Sequence, residues 1–143
     1  MFPQNKPFIS IFKTSQIAQR VFGMHPLCVM LLGEMAAWCA VKDLPFMVTE
    51  TVTTKAEDKA LKRVSDSHQE GRAFDVSTRG WNDWGIQEFM SSFESKYKAL
   101  GAIGHKDGKP VLIVRHDTGR GDHFHIQINK KYAVSGLDPL KAG

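Results

Sequence analysis

The sequence predicts an α+β fold: a small, mainly antiparallel sheet with two main helices packed on it. Three observations carry this expectation. Two long segments have helical character, several short β-branched or alternating runs read as strands, and a glycine-rich turn joins two of those runs closely enough for a hairpin. Strands and helices that each have one apolar side must cover it against one another, which yields a two-layer domain.

Taken in order, the first 26 residues contain Pro3, Pro7 and Pro26 and read as irregular, with Ile9–Phe12 as a possible short strand. Leu27–Val41 is rich in Leu, Met and Ala and forms the first main helix. It stops before Pro45, which disfavours helix at the residue preceding it. Phe46–Thr53 is β-branched and reads as a strand. Lys55–Ser65 is charged, a loop or a short helix. Arg72–Ser77 alternates and reads as a strand after a turn at Gly71. From Asp83 to Leu100, apolar residues at Ile86, Phe89, Met90, Phe93, Tyr97 and Leu100 follow the i, i+3, i+4 rule of an amphipathic helix, and Gly101 ends it. "VLIVRH" and "HFHIQI", joined through "TGRG", form the predicted hairpin. The tail after Lys130 reads as loose.

The 143 residues, 42% hydrophobic, suit one domain spanning 1–143 with a single core, its motif-bearing part covering about 26–130. The charge balance is +4, mildly basic, which suits a polyanion such as nucleic acid, but there is no Lys/Arg run interleaved with aromatics, so nucleic acid is not expected as a partner. The balance also suits a polyanionic cell wall. Cys28 and Cys39 share one helical segment, where eleven residues rise about 16 Å. A disulfide needs Cα atoms within about 7 Å, so free thiols are expected. No secretory signal and no membrane-spanning run is read in the sequence, which predicts cytoplasmic synthesis of a monomer without membrane insertion.

The chemistry concentrates in "SDSHQEGRAFDVSTRGW" and "GDHFHIQI". On a strand, alternate side chains share a face, so His123, His125 and Gln127 point one way while Phe124, Ile126 and Ile128 point into the core. Ala73, Asp75 and Ser77 likewise share a face of the earlier strand. A turn at Gly71 is required to fold His68 back towards Asp75, because extended chain would separate them by more than about 20 Å. Two histidines and a carboxylate, with a fourth position open, form a catalytic zinc arrangement. Asp122 and His123 are the candidates for moving the proton of a metal-activated water.

"HQEGRAFD" resembles the H-x-x-G-x-A-x-D core of the D-Ala-D-Ala metallopeptidase superfamily, which includes hedgehog-like domains. "DHFH" fits both forms of its second motif, H-x-H and D/E-x-x-H. The resemblance implies a hedgehog/DD-peptidase-like fold, Zn2+ as cofactor, and His68, Asp75 and His125 as its ligands. It also places the base at Asp122, with His123 orienting water or stabilising an oxyanion. For Asp122 to serve, it must precede the regular strand and turn inward. The serine expected two residues before the first histidine is replaced by Asp66, with Ser67 beside it. The arginine that grips substrate in many members has no counterpart in "VTETVTTK", leaving Arg72, Lys55 or Arg63 as possible anchors.

The function implied is a zinc-dependent peptidoglycan hydrolase cleaving stem peptides. It most resembles bacteriophage endolysins with L-alanyl-D-glutamate endopeptidase activity, which act on the cell wall once the membrane is opened. A D,D-carboxypeptidase is the rival enzyme, and an inactive zinc-binding structural or virion-associated domain the rival from another class.

Overall fold

The structure, a computed structural model, describes residues 11–117 and 121–137. The α+β class is as expected: among these residues, a four-stranded antiparallel sheet lies under two long helices. The helices are α1 (Ser15–Gln19), α2 (Pro26–Val41), α3 (Lys55–Ala60) and α4 (Asp83–Tyr97). The main sheet has the order β1 (Val48–Glu50), β2 (Ala73–Ser77), β6 (Asp122–Gln127) and β5 (Ile113–Asp117). β3 (Ala102–Ile103) and β4 (Pro110–Val111) make a separate two-stranded ribbon that sequence reading missed.

Each helix begins where local chemistry lets it. His25 accepts from the Leu27 N–H at the start of α2, where Pro26 occupies the first turn and has no N–H that needs an acceptor. Asn82 caps α4 through Gly85 N. Thr54 and Glu57 form a reciprocal capping box on α3. α2 buries Cys28, Leu31, Leu32, Met35 and Cys39, and α4 buries Ile86, Phe89 and Phe93. These pack on Phe74, Val76, Ile113, Phe124 and Ile126 from one face of the sheet. At the centre Phe89 stacks on Phe124, with ring centroids 4.7 Å apart, and Trp81 meets both edge-on. The sheet's opposite face is therefore left to carry polar side chains.

Several expected strands are shorter or interrupted. Phe46–Thr53 contributes only three strand residues, Val48–Glu50, and its register with β2 shifts between Val48 and Glu50. The "VLIVRH" run breaks at Leu112, because Glu94 from α4 accepts from the backbone N–H groups of Leu112 and Ile113. Of the expected Ile9–Phe12 strand, Ile9 and Ser10 fall outside the described residues, and Phe12 makes an isolated parallel bridge to Val48. The part of the tail beyond Leu137 also lies outside them.

Gly71 sets the turn that returns the chain to β2. Its φ is +64°, and a Cβ there would stand 2.3 Å from the Gly23 carbonyl oxygen and 2.6 Å from the Val134 side chain. Gly71→Ala therefore combines left-handed strain with a backbone clash. The expected loss is about 1–3 kcal/mol, read as a lower urea midpoint with unchanged slope.

Candidate metal centre

The site forms on the polar face of the sheet, where pairing decides which side chains meet. Asp75 on β2 is the direct cross-strand partner of His125 on β6, and Ser77 of His123. Val114 and His116 on β5 lie opposite His125 and His123. His68 arrives from the loop before Gly71. His68, Asp75 and His125 offer ligand atoms that all lie within 4.8 Å of one another. His68 Nε2 is 3.2 Å from Asp75 Oδ1, and His125 Nδ1 is 2.8 Å from the same oxygen.

A backbone acceptor fixes the tautomer of His68. His68 Nδ1 lies 2.6 Å from the Thr51 carbonyl oxygen, which can only accept, so Nδ1 carries the proton. The neutral ring then turns the lone pair of Nε2 on Asp75. His125 Nε2 stands 3.1 Å from Gln127 Oε1 and 3.4 Å from the Ser67 hydroxyl. If Nε2 donates to Gln127, the lone pair of Nδ1 faces Asp75 too. With both rings in these tautomers, two imidazole lone pairs and a carboxylate oxygen converge on one point; with a proton on either facing nitrogen, that ring donates to Asp75 instead. The first arrangement is repulsive unless a cation sits between them, either a proton or a metal ion. Histidines whose second nitrogen is tied to an acceptor are the usual support of a metal ligand.

Electrostatics point the same way. Burial disfavours a charged His68, but the charge and hydrogen bond of Asp75, with help from Glu50 and the Thr51 carbonyl, outweigh it and raise its pKa. Burial likewise opposes ionisation of Asp75. The charge of His68 and hydrogen bonds from His125 and His68 reverse this and hold its carboxyl well below the usual range. The cluster is built around an ionised carboxylate that demands a positive partner.

The other candidates are placed differently. His123 Nδ1 is 2.9 Å from the Gly121 carbonyl oxygen, so its Nε2 lone pair faces Asp75 Oδ2 at 3.9 Å. It stands beside the cluster, with the His116 ring 4.4 Å away. Burial, then the neighbouring His123 and His125, lower the pKa of His116. Asp122 lies outside the cluster, at a second, smaller pocket that also reaches Asp75 and His123. The inward turn expected of it is corrected by its position: it is the first residue of β6, paired with Asp117, and regular pleating sends its side chain away from Asp75. Its carboxylate accepts from Arg115 at 3.0 Å and from the Thr78 hydroxyl at 2.7 Å. The Arg115 hydrogen bond, opposed by desolvation and aided by Thr78, lowers its pKa.

Arg72 is buried, bonded to Glu70 and to the Ile128 carbonyl, and lines a different pocket beside His105 and Lys130. Lys55 opens α3 and is exposed. Neither lines the cleft over the cluster. Arg63 does. It is ion-paired with Glu50 and Asp58 and stands 4.0 Å from Asp75 Oδ2. Nothing in its spacing singled it out beyond being a spare cation near the motif. Cys28 and Cys39 lie on the buried face of α2, where burial pushes both thiols up to about 12, so they offer no thiolate to a metal.

With three protein ligands, a bound ion keeps one position open towards a cleft of about 690 Å3. That open position can hold water or a ligand atom.

No family model matches the chain, and no solved structure matches it. The chain is 30% identical over 106 residues to large ribosomal subunit protein uL6 of Halothermothrix orenii. The alignment covers 65% of this chain and 57% of the relative, so the chain spans little more than half of the relative's length. The relative belongs to a different family from the D-Ala-D-Ala metallopeptidases. On that finding the superfamily assignment is withdrawn. Withdrawn with it are the metallopeptidase activity, the endolysin and carboxypeptidase readings, the peptidoglycan partner and the exclusion of nucleic acid. The motif resemblance covers only about a dozen residues, and a shared local site does not carry a whole chain's function with it. Among the described residues, no helix is long and apolar enough to cross a membrane.

Proposed function

We propose that this chain is a zinc-binding domain in which His68 Nε2, the Asp75 carboxylate and His125 Nδ1 hold the ion and one position opens to the cleft. The observation that carries this reading is the convergence of His68 Nε2 and His125 Nδ1 on Asp75 Oδ1, with His68 held from behind by the Thr51 carbonyl and His125 beside Gln127 and Ser67. Two imidazoles and a carboxylate suit zinc better than calcium or magnesium, which take oxygen ligands. His123 stands where it can hydrogen-bond whatever fills the open position. Asp122, tied to Arg115 and Thr78, braces the end of β6 in this reading. X-ray absorption of the zinc-loaded protein should show a nitrogen/oxygen shell near about 2.0–2.1 Å and no sulfur near about 2.3 Å. A sulfur shell would move the metal to the cysteines and end the proposal.

A second reading comes from the relative, which is named for the large ribosomal subunit, together with the net charge of +4. In it, the chain associates with ribosomal RNA. Phosphate contacts make such binding fall steeply with salt. Titrating large-subunit RNA at low and at physiological salt tests it, and no binding even at about 50 mM salt sets it aside.

A further inference from the structure

The cleft over the cluster has two unlike walls. One is the polar sheet face described above. The other is the segment following α3, where Leu61 and Val64 line the cleft across from Val114, an apolar residue on the sheet face. Val64 is 98% exposed, Leu61 41% and Val114 37%, so none of them serves the core. Apolar side chains scattered on a surface need no explanation, but here three line one cleft whose floor is the metal cluster.

The segment that carries two of them is held in place. Lys62 adopts a left-handed φ of +57°, unusual for a residue with a side chain. The next residue, Arg63, anchors the segment from beneath through Glu50 and Asp58, and its backbone N–H bonds to the Asp58 carbonyl at 2.9 Å. The left-handed Lys62 is a normal helix exit, with its N–H on the Lys59 carbonyl and that of Arg63 on the Asp58 carbonyl, so Leu61 and Val64 sit on a fixed turn.

Charge selects the other half of the ligand. Among the described residues lining the cleft, Asp75 is the one acid; Lys62 is cationic, and the charge of Arg63 is taken up by Glu50 and Asp58. A divalent ion held by a single carboxylate keeps a net positive charge. The open position therefore favours an anionic oxygen.

Building on the zinc reading, we infer that the site takes a small amphipathic carboxylate, its head at the open metal position and its apolar body along Leu61, Val64 and Val114. The cleft volume of about 690 Å3 is in the range of pockets that hold small organic ligands.

The test is calorimetric titration of the zinc-loaded full chain with sodium octanoate, sodium acetate and octylammonium chloride. Octanoate should bind at least about tenfold tighter than acetate, the gain from covering only two of its extra methylenes. Octylammonium should bind more weakly than octanoate, and metal-free protein should lose most of the octanoate affinity. Val64→Ser and Leu61→Ser, both at exposed positions that carry no core packing, should each cut the octanoate-to-acetate ratio by about threefold or more. Zinc uptake measured in the same samples separates the two claims. Zinc bound with octanoate no better than acetate, or octylammonium equal to octanoate, overturns the ligand inference alone. No zinc uptake overturns the metal reading and the inference with it.

Discussion

Zinc-loaded protein, dialysed against metal-free buffer, is expected to keep about one ion per chain, while His68→Ala, Asp75→Ala and His125→Ala keep none. The expectation rests on geometry: the three donor atoms lie within 4.8 Å of one another. Deleting any one leaves two, too few to compete with water and chelating buffer. Each ligand also has its own support, Thr51 behind His68, Gln127 and Ser67 behind His125, and both histidines beside Asp75. Losing one ligand therefore does not let another swing in to replace it. Because zinc binds the folded site and not the open chain, saturating it at about a hundred times its Kd should add about 2.7 kcal/mol of stability. For a chain of this size that raises Tm by on the order of 8 °C. Asp75→Asn separates shape from charge: it keeps the packing, loses the anion, and should lose the zinc-dependent rise in Tm. Circular dichroism of each variant distinguishes a lost ligand from a lost fold. Equal zinc content in wild type and all three alanine variants would falsify the site.

The pH dependence should run in opposite directions with and without metal. In the metal-free protein, His68 has a raised folded pKa, so its contribution to stability is complete below the ordinary value of 6.5 and is lost as pH climbs through the raised one. Asp75 has a depressed folded pKa, so its contribution is present above the ordinary value of 3.8 and is lost as pH falls through the depressed one. Metal-free protein should therefore be most stable between about pH 4 and 6.5, and weaken towards pH 8. Zinc displaces the proton that His68 would hold. Its affinity should fall by roughly tenfold per pH unit below the raised pKa, for each proton displaced. Melting curves from about pH 5 to 8 should thus show metal-free Tm declining with pH while the increment from zinc grows. A metal-free Tm that rises across that range, or a zinc increment independent of pH, contradicts a cluster held together by a proton in the absence of metal.

Much of the layout was legible because it depends on local periodicity. The 3.6-residue spacing from Ile86 to Tyr97 made α4, and its buried members are Ile86, Phe89 and Phe93. The two-residue alternation in "HFHIQI" separated His123, His125 and Gln127 from Phe124, Ile126 and Ile128, and the latter three are fully buried. The glycine in "HQEGRAFD" marked the turn, where φ is +64°. The same alternation assigned Asp122 to the opposite face from His123. Its side chain meets Arg115 and Thr78 there, against the inward turn that the family pattern required. The family assignment itself came from a motif of about a dozen residues, which describes a local geometry and not the descent of the chain.

The sequence by itself determined which residues share a face, since that follows from the backbone repeat of each element. Only the tertiary structure decided which faces meet. Asp75 lies fifty residues from His125, and their pairing depends on the register between β2 and β6, which no local pattern encodes. The tautomer of His68 was settled the same way, by a carbonyl from a remote segment, Thr51. Arg63 became part of the site because Glu50 and Asp58 hold it there. Shifting β6 by one residue would exchange His125 for a core phenylalanine or isoleucine, and burial of Phe124 and Ile126 against α4 is what prevents it.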